Sequence, residues 1–225
     1  VDPQPLLIDA GRYSVSALRT IMRQMEYREL TPALRAAVEQ ARETLARTND
    51  PQLADFVLDH AYFYEMHEAA SQTDSRFLQG YVSLMIDVAN LRALVRALRQ
   101  NKGAEFLRGV LIEGGSVDTS RFLQATSGDA TVRELFAGTA LEAAAEAGAL
   151  AISGEAGFTR FERLCDNVLI SYLQSARYVA FGDAPLVAFL AAKEADITAI
   201  RIVMAGKLQE LPVDEIRERL RASYV

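Results

Sequence analysis

Apolar residues recur along this chain at helical spacing, and no stretch sustains the period-two alternation of a half-buried strand. The clearest segment runs from about Asp74 to Gln100. There Phe77, Tyr81, Leu84, Val88, Leu91, Val95 and Leu98 follow one another alternately four and three apart. Leu78, Met85 and Leu94 widen the stripe. This spacing predicts a helix packed against partners along most of its length, with Asp87 and Arg92 on opposite flanks of the buried face. Thr31-Pro32 and Asp50-Pro51 each set a capping side chain before a proline at the first helical position. Asp74, Asp118 and Asp129 are further candidate caps, Asp183-Ala184-Pro185 opens another helix, and Pro212 starts the last. Gly103, Gly114-Gly115, Gly154, Gly157 and Gly182 are expected to stop helices. The prediction is an all-α chain of about eight to ten helices. The Gly/Ala-rich stretch from Ala137 to Gly157 reads either as short helices or as a connector.

The stripe has a second copy. Leu186, Leu190, Ile197, Ile200 and Met204 repeat the pattern 109 residues on, where Asp87-Val88-Ala89-Asn90-Leu91-Arg92 aligns with Asp196-Ile197-Thr198-Ala199-Ile200-Arg201. Lys193 and Lys207 replace Leu84 and Leu98, so this second stripe is narrower. Upstream, Leu58-Asp59 with Met66 and Ala69 matches Cys165-Asp166 with Leu173 and Ala176 at an offset of 107. A near-constant offset predicts two helical units of about a hundred residues, spanning 1–115 and 116–225.

Composition narrows the possibilities. Half of the 225 residues are hydrophobic and 24% are charged, ordinary proportions for a globular chain that rule out disorder and collagen-like sequence. The net charge of −6 argues against nucleic acid as a partner, since phosphate binding relies on excess Lys and Arg. No apolar run is long enough to insert in a membrane, and Val1-Asp2-Pro3-Gln4-Pro5 lacks the layout of a signal peptide. The chain also lacks an initiator Met, so it is expected to be a fragment. A single cysteine, Cys165, permits no internal disulfide and suits a reducing cytoplasm.

Sites for chemistry are sparse. Gly206-Lys207 is followed by Leu208, with Arg201 where a phosphate loop needs its first glycine, and no G-x-G-x-x-G or G-x-S-x-G occurs. His60, Glu65, His67 and Glu68 share one segment, yet neither histidine has the H-E-x-x-H or Glu-x-x-His spacing of a helical metal site. Cys165 beside Leu164 reads as a small buried hydrophobe. No catalytic residue, metal site or cofactor is therefore expected, and the polar residues are read as packing and surface groups.

Taken together, Asp87-x-x-Asn90-Leu91-Arg92 followed by Gly103, Leu111-Ile112-Glu113-Gly114-Gly115, Phe161-Glu162 with Asp166, Lys193-Glu194 with Ile200-Arg201, and the closing Ile216-Arg217 and Tyr224-Val225 resemble the C subunit of the A/V-type ATP synthases, related to the d subunit of vacuolar ATPases. The resemblance implies an all-helical protein built of three related units around a pseudo-threefold axis, forming a funnel. Only two copies of the repeated unit are present here, so a preceding unit is expected to be absent. The implied role is a non-catalytic rotor coupler in ATP-linked ion transport, peripheral to the membrane on its cytoplasmic side. Its implied partners are the D and F subunits of the central stalk and the membrane proteolipid ring. On this reading Asp87, Arg92, Asp196 and Arg201 pair with adjacent helices and fix the geometry of each unit. Gly114, Gly115, Gly182 and Asp183 end helices and line a partner-facing rim. A standalone helical adaptor and a helical metal or redox enzyme using His60, Glu65 and His67 remain as alternatives.

Overall fold

The computed structural model describes residues 9, 11, 13–128 and 130–224. Asp129, Val225 and the opening Val1–Pro5, all invoked above, lie outside the described residues. Among those described there are eleven α-helices and no strand. They are α1 (Val15–Gln24), α2 (Pro32–Thr48), α3 (Pro51–Ser71), α4 (Arg76–Arg99), α5 (Ala104–Arg108), α6 (Thr119–Ser127), α7 (Val132–Leu135), α8 (Glu142–Ser153), α9 (Phe158–Gln174), α10 (Asp183–Leu208) and α11 (Val213–Arg219). Short 3-10 turns at Tyr27–Glu29 and Ser175–Tyr178 precede α2 and α10.

The helix ends follow local chemistry, with some revisions. Thr31 caps α2 by accepting the Leu34 N–H, and Asp118 caps α6 by accepting that of Ser120. Ser75 rather than Asp74 caps α4, accepting the Leu78 N–H. Gly154 ends α8 in the left-handed conformation, but Gly103, Gly157 and Gly182 stand at helix starts instead of stops. Several stops are made by non-glycine residues. Beyond α4 and α10, Asn101 and Glu210 adopt φ of 53° and 54°. The next residue then donates back to the helix, Lys102 N–H to Ala97 C=O at 2.8 Å and Leu211 N–H to Gly206 C=O at 2.9 Å. These two stops lie 109 residues apart, as do the starts of α5 at Ala104 and α11 at Val213. The stretch from Ala137 to Gly157 contains α8, whose Ala144, Ala145, Ala147 and Ala151 are buried.

The chain divides into two compact units, Val1–Tyr62 and Phe63–Val225, with the division falling inside α3. In the first, Ile21, Tyr27, Leu30 and Val38 form a small core. The second is organised around α4. Its predicted stripe, Val88, Leu91 and Val95, meets Ala144, Ala147 and Ala151 of α8 and Phe161 and Cys165 of α9 in the main core. Gly148 allows the close approach of α8, because a Cβ there would come within 2.7 Å of Val95. The opposite side of α4 is also buried, through Val82 and Ile86 against Ala70 and Ile112. A helix covered on both sides is a central helix rather than an amphipathic surface one.

Candidate functional site

Two side chains of α4 turn inward although they are polar. Asn90 is fully buried, and its amide makes a two-way bridge to one peptide: Nδ2 donates to Ile112 C=O at 2.7 Å and Oδ1 accepts from Ile112 N–H at 2.8 Å. One turn earlier, Asp87 accepts the Ser116 N–H at 3.1 Å, the Ser116 hydroxyl at 2.5 Å and the Val117 N–H at 3.2 Å. Spacing of three residues sets both groups on one helix face, so Asp87-x-x-Asn90 clamps the 112–117 loop that links α5 to α6. The glycines of that loop are required by the clamp. A Cβ on Gly115 would overlap Asp87 Oδ1, and one on Gly114 would come within 2.7 Å of the His67 ring. Gly114 also holds a φ of 101°.

Arg92 lies beyond the clamp and faces α9. Its guanidinium is 2.7 Å from Glu162 and 2.6 Å from Asp166. Arg96 reaches Glu162 at 2.7 Å, and Arg221 reaches Asp166 at 2.5 Å. This network of three arginines and two carboxylates ties α4, α9 and the chain after α11 together. Burial opposes the charge on Arg92, while the hydrogen bond and charge of Asp166 outweigh it and hold the pKa above its ordinary value. Behind the network Cys165 is buried, and desolvation pushes its thiol up to about 12. A thiol in that state is a packing group and a poor nucleophile.

The second copy of the motif has a different environment. Asp196 is exposed and makes only a 3.6 Å surface pair with Lys193, and Arg201 is exposed with no ion pair among the described residues. Thus Arg92 pairs with an adjacent helix, Asp87 binds a loop by hydrogen bonds instead of an ion pair, and Asp196 and Arg201 bind no adjacent helix among the described residues. Gly114 and Gly115 lie in the clamped loop. Gly182, at φ 103°, begins α10 and leaves Asp183 to accept a hydrogen bond from the Ser75 hydroxyl at the start of α4. Six of the eight predicted site residues therefore fall into two groups, Asp87, Arg92, Gly114 and Gly115 around α4, and Gly182 and Asp183 at the α10 entrance, while Asp196 and Arg201 lie exposed further along α10.

Beside that entrance the chain presents apolar side chains to solvent. Tyr178 and Phe181 are 91% and 90% exposed, with Val179 and Leu186 alongside. Such a cluster marks a contact surface more often than chance exposure. Sequence reading singled out Gly182-Asp183 and missed these aromatics, whose only signal was proximity to a glycine in a short connection. Among the described residues no group of three or more His, Cys, Asp or Glu side chains is placed to hold a metal ion. No helix there is long and apolar enough to cross a membrane.

Comparison with known proteins places the chain among the C subunits of V-type ATPases and ATP synthases by similarity. The chain is 25% identical over 220 residues to the C subunit of the V-type sodium ATPase of Enterococcus hirae, covering 97% of this chain and 66% of the relative. It is 27% identical over 169 residues to the C subunit of the V-type ATP synthase of Deinococcus radiodurans, covering 75% of this chain and 42% of the relative. The chain thus spans 66% or less of the length of these two relatives. The family profile of the ATP synthase (C/AC39) subunit matches residues 2–219, and the chain belongs to that family.

Proposed function

We propose that this protein is a non-catalytic central-stalk component of an A/V-type ATP synthase, a socket that couples the D–F shaft to the membrane proteolipid ring. The observation that carries the reading, beside family membership, is the exposed Tyr178–Phe181 cluster next to Gly182 and Asp183. Aromatic side chains on a short, anchored connection supply contact area at low entropic cost, which suits docking to a protein partner. Torque transfer also requires stiffness. The Asp87/Asn90 clamp and the Arg92 network meet that requirement by tying α4 to a loop and to α9. In this proposal the 1–115 and 116–225 units repeat around a pseudo-threefold axis, and Gly182 and Asp183 belong to a partner-facing rim. Location is peripheral, on the cytoplasmic side, held through the complex.

Native mass spectrometry of the chain mixed with a purified D–F pair, at low and moderate salt, tests the reading. A one-to-one-to-one complex that weakens when Phe181→Ser and Tyr178→Ser are introduced is the expected result. Absence of a complex at both salt concentrations overturns the socket assignment and leaves a helical adaptor with another partner.

A further inference from the structure

The segment 220–224, after α11, has no helix or strand, yet it is tied to the protein along its length. At its start Arg163 donates to Glu218 C=O at 3.2 Å, and Arg221 reaches Asp166 at 2.5 Å. The Ala222 N–H then donates to Asn167 Oδ1 at 2.7 Å, and Gln174 Nε2 donates to Ser223 C=O at 2.9 Å. Last, the Arg177 guanidinium lies 4.8 Å from the centre of the Tyr224 ring. Residues 163, 166, 167, 174 and 177 fall at helical spacing, on one face of α9 that continues into the 3-10 turn. The lengths agree: fourteen residues from Arg163 to Arg177 rise about 21 Å as helix, and six from Glu218 to Tyr224 reach roughly 20 Å as extended chain. The segment runs beside α9, in the same direction.

Where it finishes bears on the exposed aromatics. The connection carrying Tyr178, Val179 and Phe181 has both ends in one small core, Ala176 before it and Ala184 after it, together with Leu173 and Ala188. Tyr224 packs against that core. Residues 177–183 between the two anchors are all exposed. Their geometry is set by those anchors, by the bond from Ser75 to Asp183, and by Arg177 lying over Tyr224.

We infer that the 220–224 segment is a strap that sets the presentation of this contact surface, with Tyr224 and Arg177 as positioning residues for Tyr178 and Phe181. Tyr224 closes the core that holds both ends of the connection. Its ring also fixes, by a cation–π contact, the guanidinium one residue before Tyr178. Holding two aromatic side chains in one arrangement before a partner arrives lowers the ordering cost of binding. The inference rests on the docking reading only for the partner; the strap itself stands without it.

Hydrogen–deuterium exchange of the 225-residue chain tests the strap. The Val179 N–H donates to Ala176 C=O at 3.1 Å and reports on the connection. Tyr224→Ser is expected to speed its exchange at least about fivefold, with the amides of α4 unchanged. Arg177→Ala should act in the same direction, while Tyr224→Phe, which keeps the ring, should match the wild type. Unchanged exchange in Tyr224→Ser, equal acceleration in Tyr224→Phe, or acceleration throughout the chain overturns the inference. With the D–F pair, Tyr224→Ser is expected to raise the dissociation constant at least about threefold and Tyr224→Phe to leave it unaltered. Full affinity beside faster exchange overturns the positioning role. A wild-type chain that binds no D–F pair removes the socket reading instead, and the exchange rates then decide the strap by themselves.

Discussion

Replacing Asn90 by leucine isolates the clamp that joins α4 to the 112–117 loop. Leucine is no smaller than asparagine, so the substitution opens no cavity. It removes the groups that pair with the N–H and C=O of Ile112, a residue that is itself buried. An orphaned buried donor or acceptor costs about 1–3 kcal/mol. Two of them predict a loss of about 2–6 kcal/mol, reduced to about 2–4 kcal/mol by the burial of an apolar side chain in place of an amide. For a chain of this size that is a fall in Tm of roughly 4–16 °C. Urea unfolding followed by circular dichroism would show the midpoint moving with little change in slope. The amide of Ile112 would also exchange faster in deuterated water, since its acceptor is gone. Asp196→Ala is the matched control, because the residue is exposed and its pair with Lys193 is long; its change should stay within about 0.5 kcal/mol. A loss below about 0.5 kcal/mol for Asn90→Leu would refute the claim that these two bonds hold the loop.

Gly115→Ala should cost about 1–3 kcal/mol in the same assay, since the added methyl meets an Asp87 carboxylate already held by Ser116 and Val117; wild-type stability would show that the loop yields freely. Arg92→Ala leaves Glu162 and Asp166 half-buried with only Arg96 and Arg221 as counterions among the described residues, for an expected loss of about 1–3 kcal/mol after allowing for solvent screening. A double-mutant cycle with Asp166→Ala measures the pair directly, and strict additivity would disprove their coupling. For Cys165 the folded thiol titrates near 12, above the ordinary 9.0, so the native state retains its proton while the unfolded state loses it. Stability from this group is therefore complete below about pH 9 and declines as pH rises toward 12. Cys165→Ala should flatten that decline, and at pH 8 the native thiol should resist alkylation until the protein is unfolded; rapid labelling of the folded chain would contradict its burial.

What the sequence by itself determined was whatever depends on neighbours along the chain. The spacing of Phe77 to Leu98 specified α4, Thr31-Pro32 began α2, and Asp118 began α6, because helical period and capping act within one or two turns. The absence of strands among the described residues followed in the same way. The order of motifs around Asp87, Gly114 and Asp166 was sufficient to indicate the family. Tertiary structure alone decided which groups those residues meet. Asn90 bridges to a peptide 22 residues away and Arg92 to a carboxylate 74 away, distances over which periodicity carries no information. It also decided that Val88 and Leu91 are core while Ile197 and Ile200, alike in size and spacing, face solvent. A stripe records only that a face is apolar. Its burial depends on another element arriving to cover it, and α8 and α9 cover the stripe of α4, whereas the contact of α9 with α10 is made through Leu173, Ala184 and Ala188 and leaves Ile197 and Ile200 exposed.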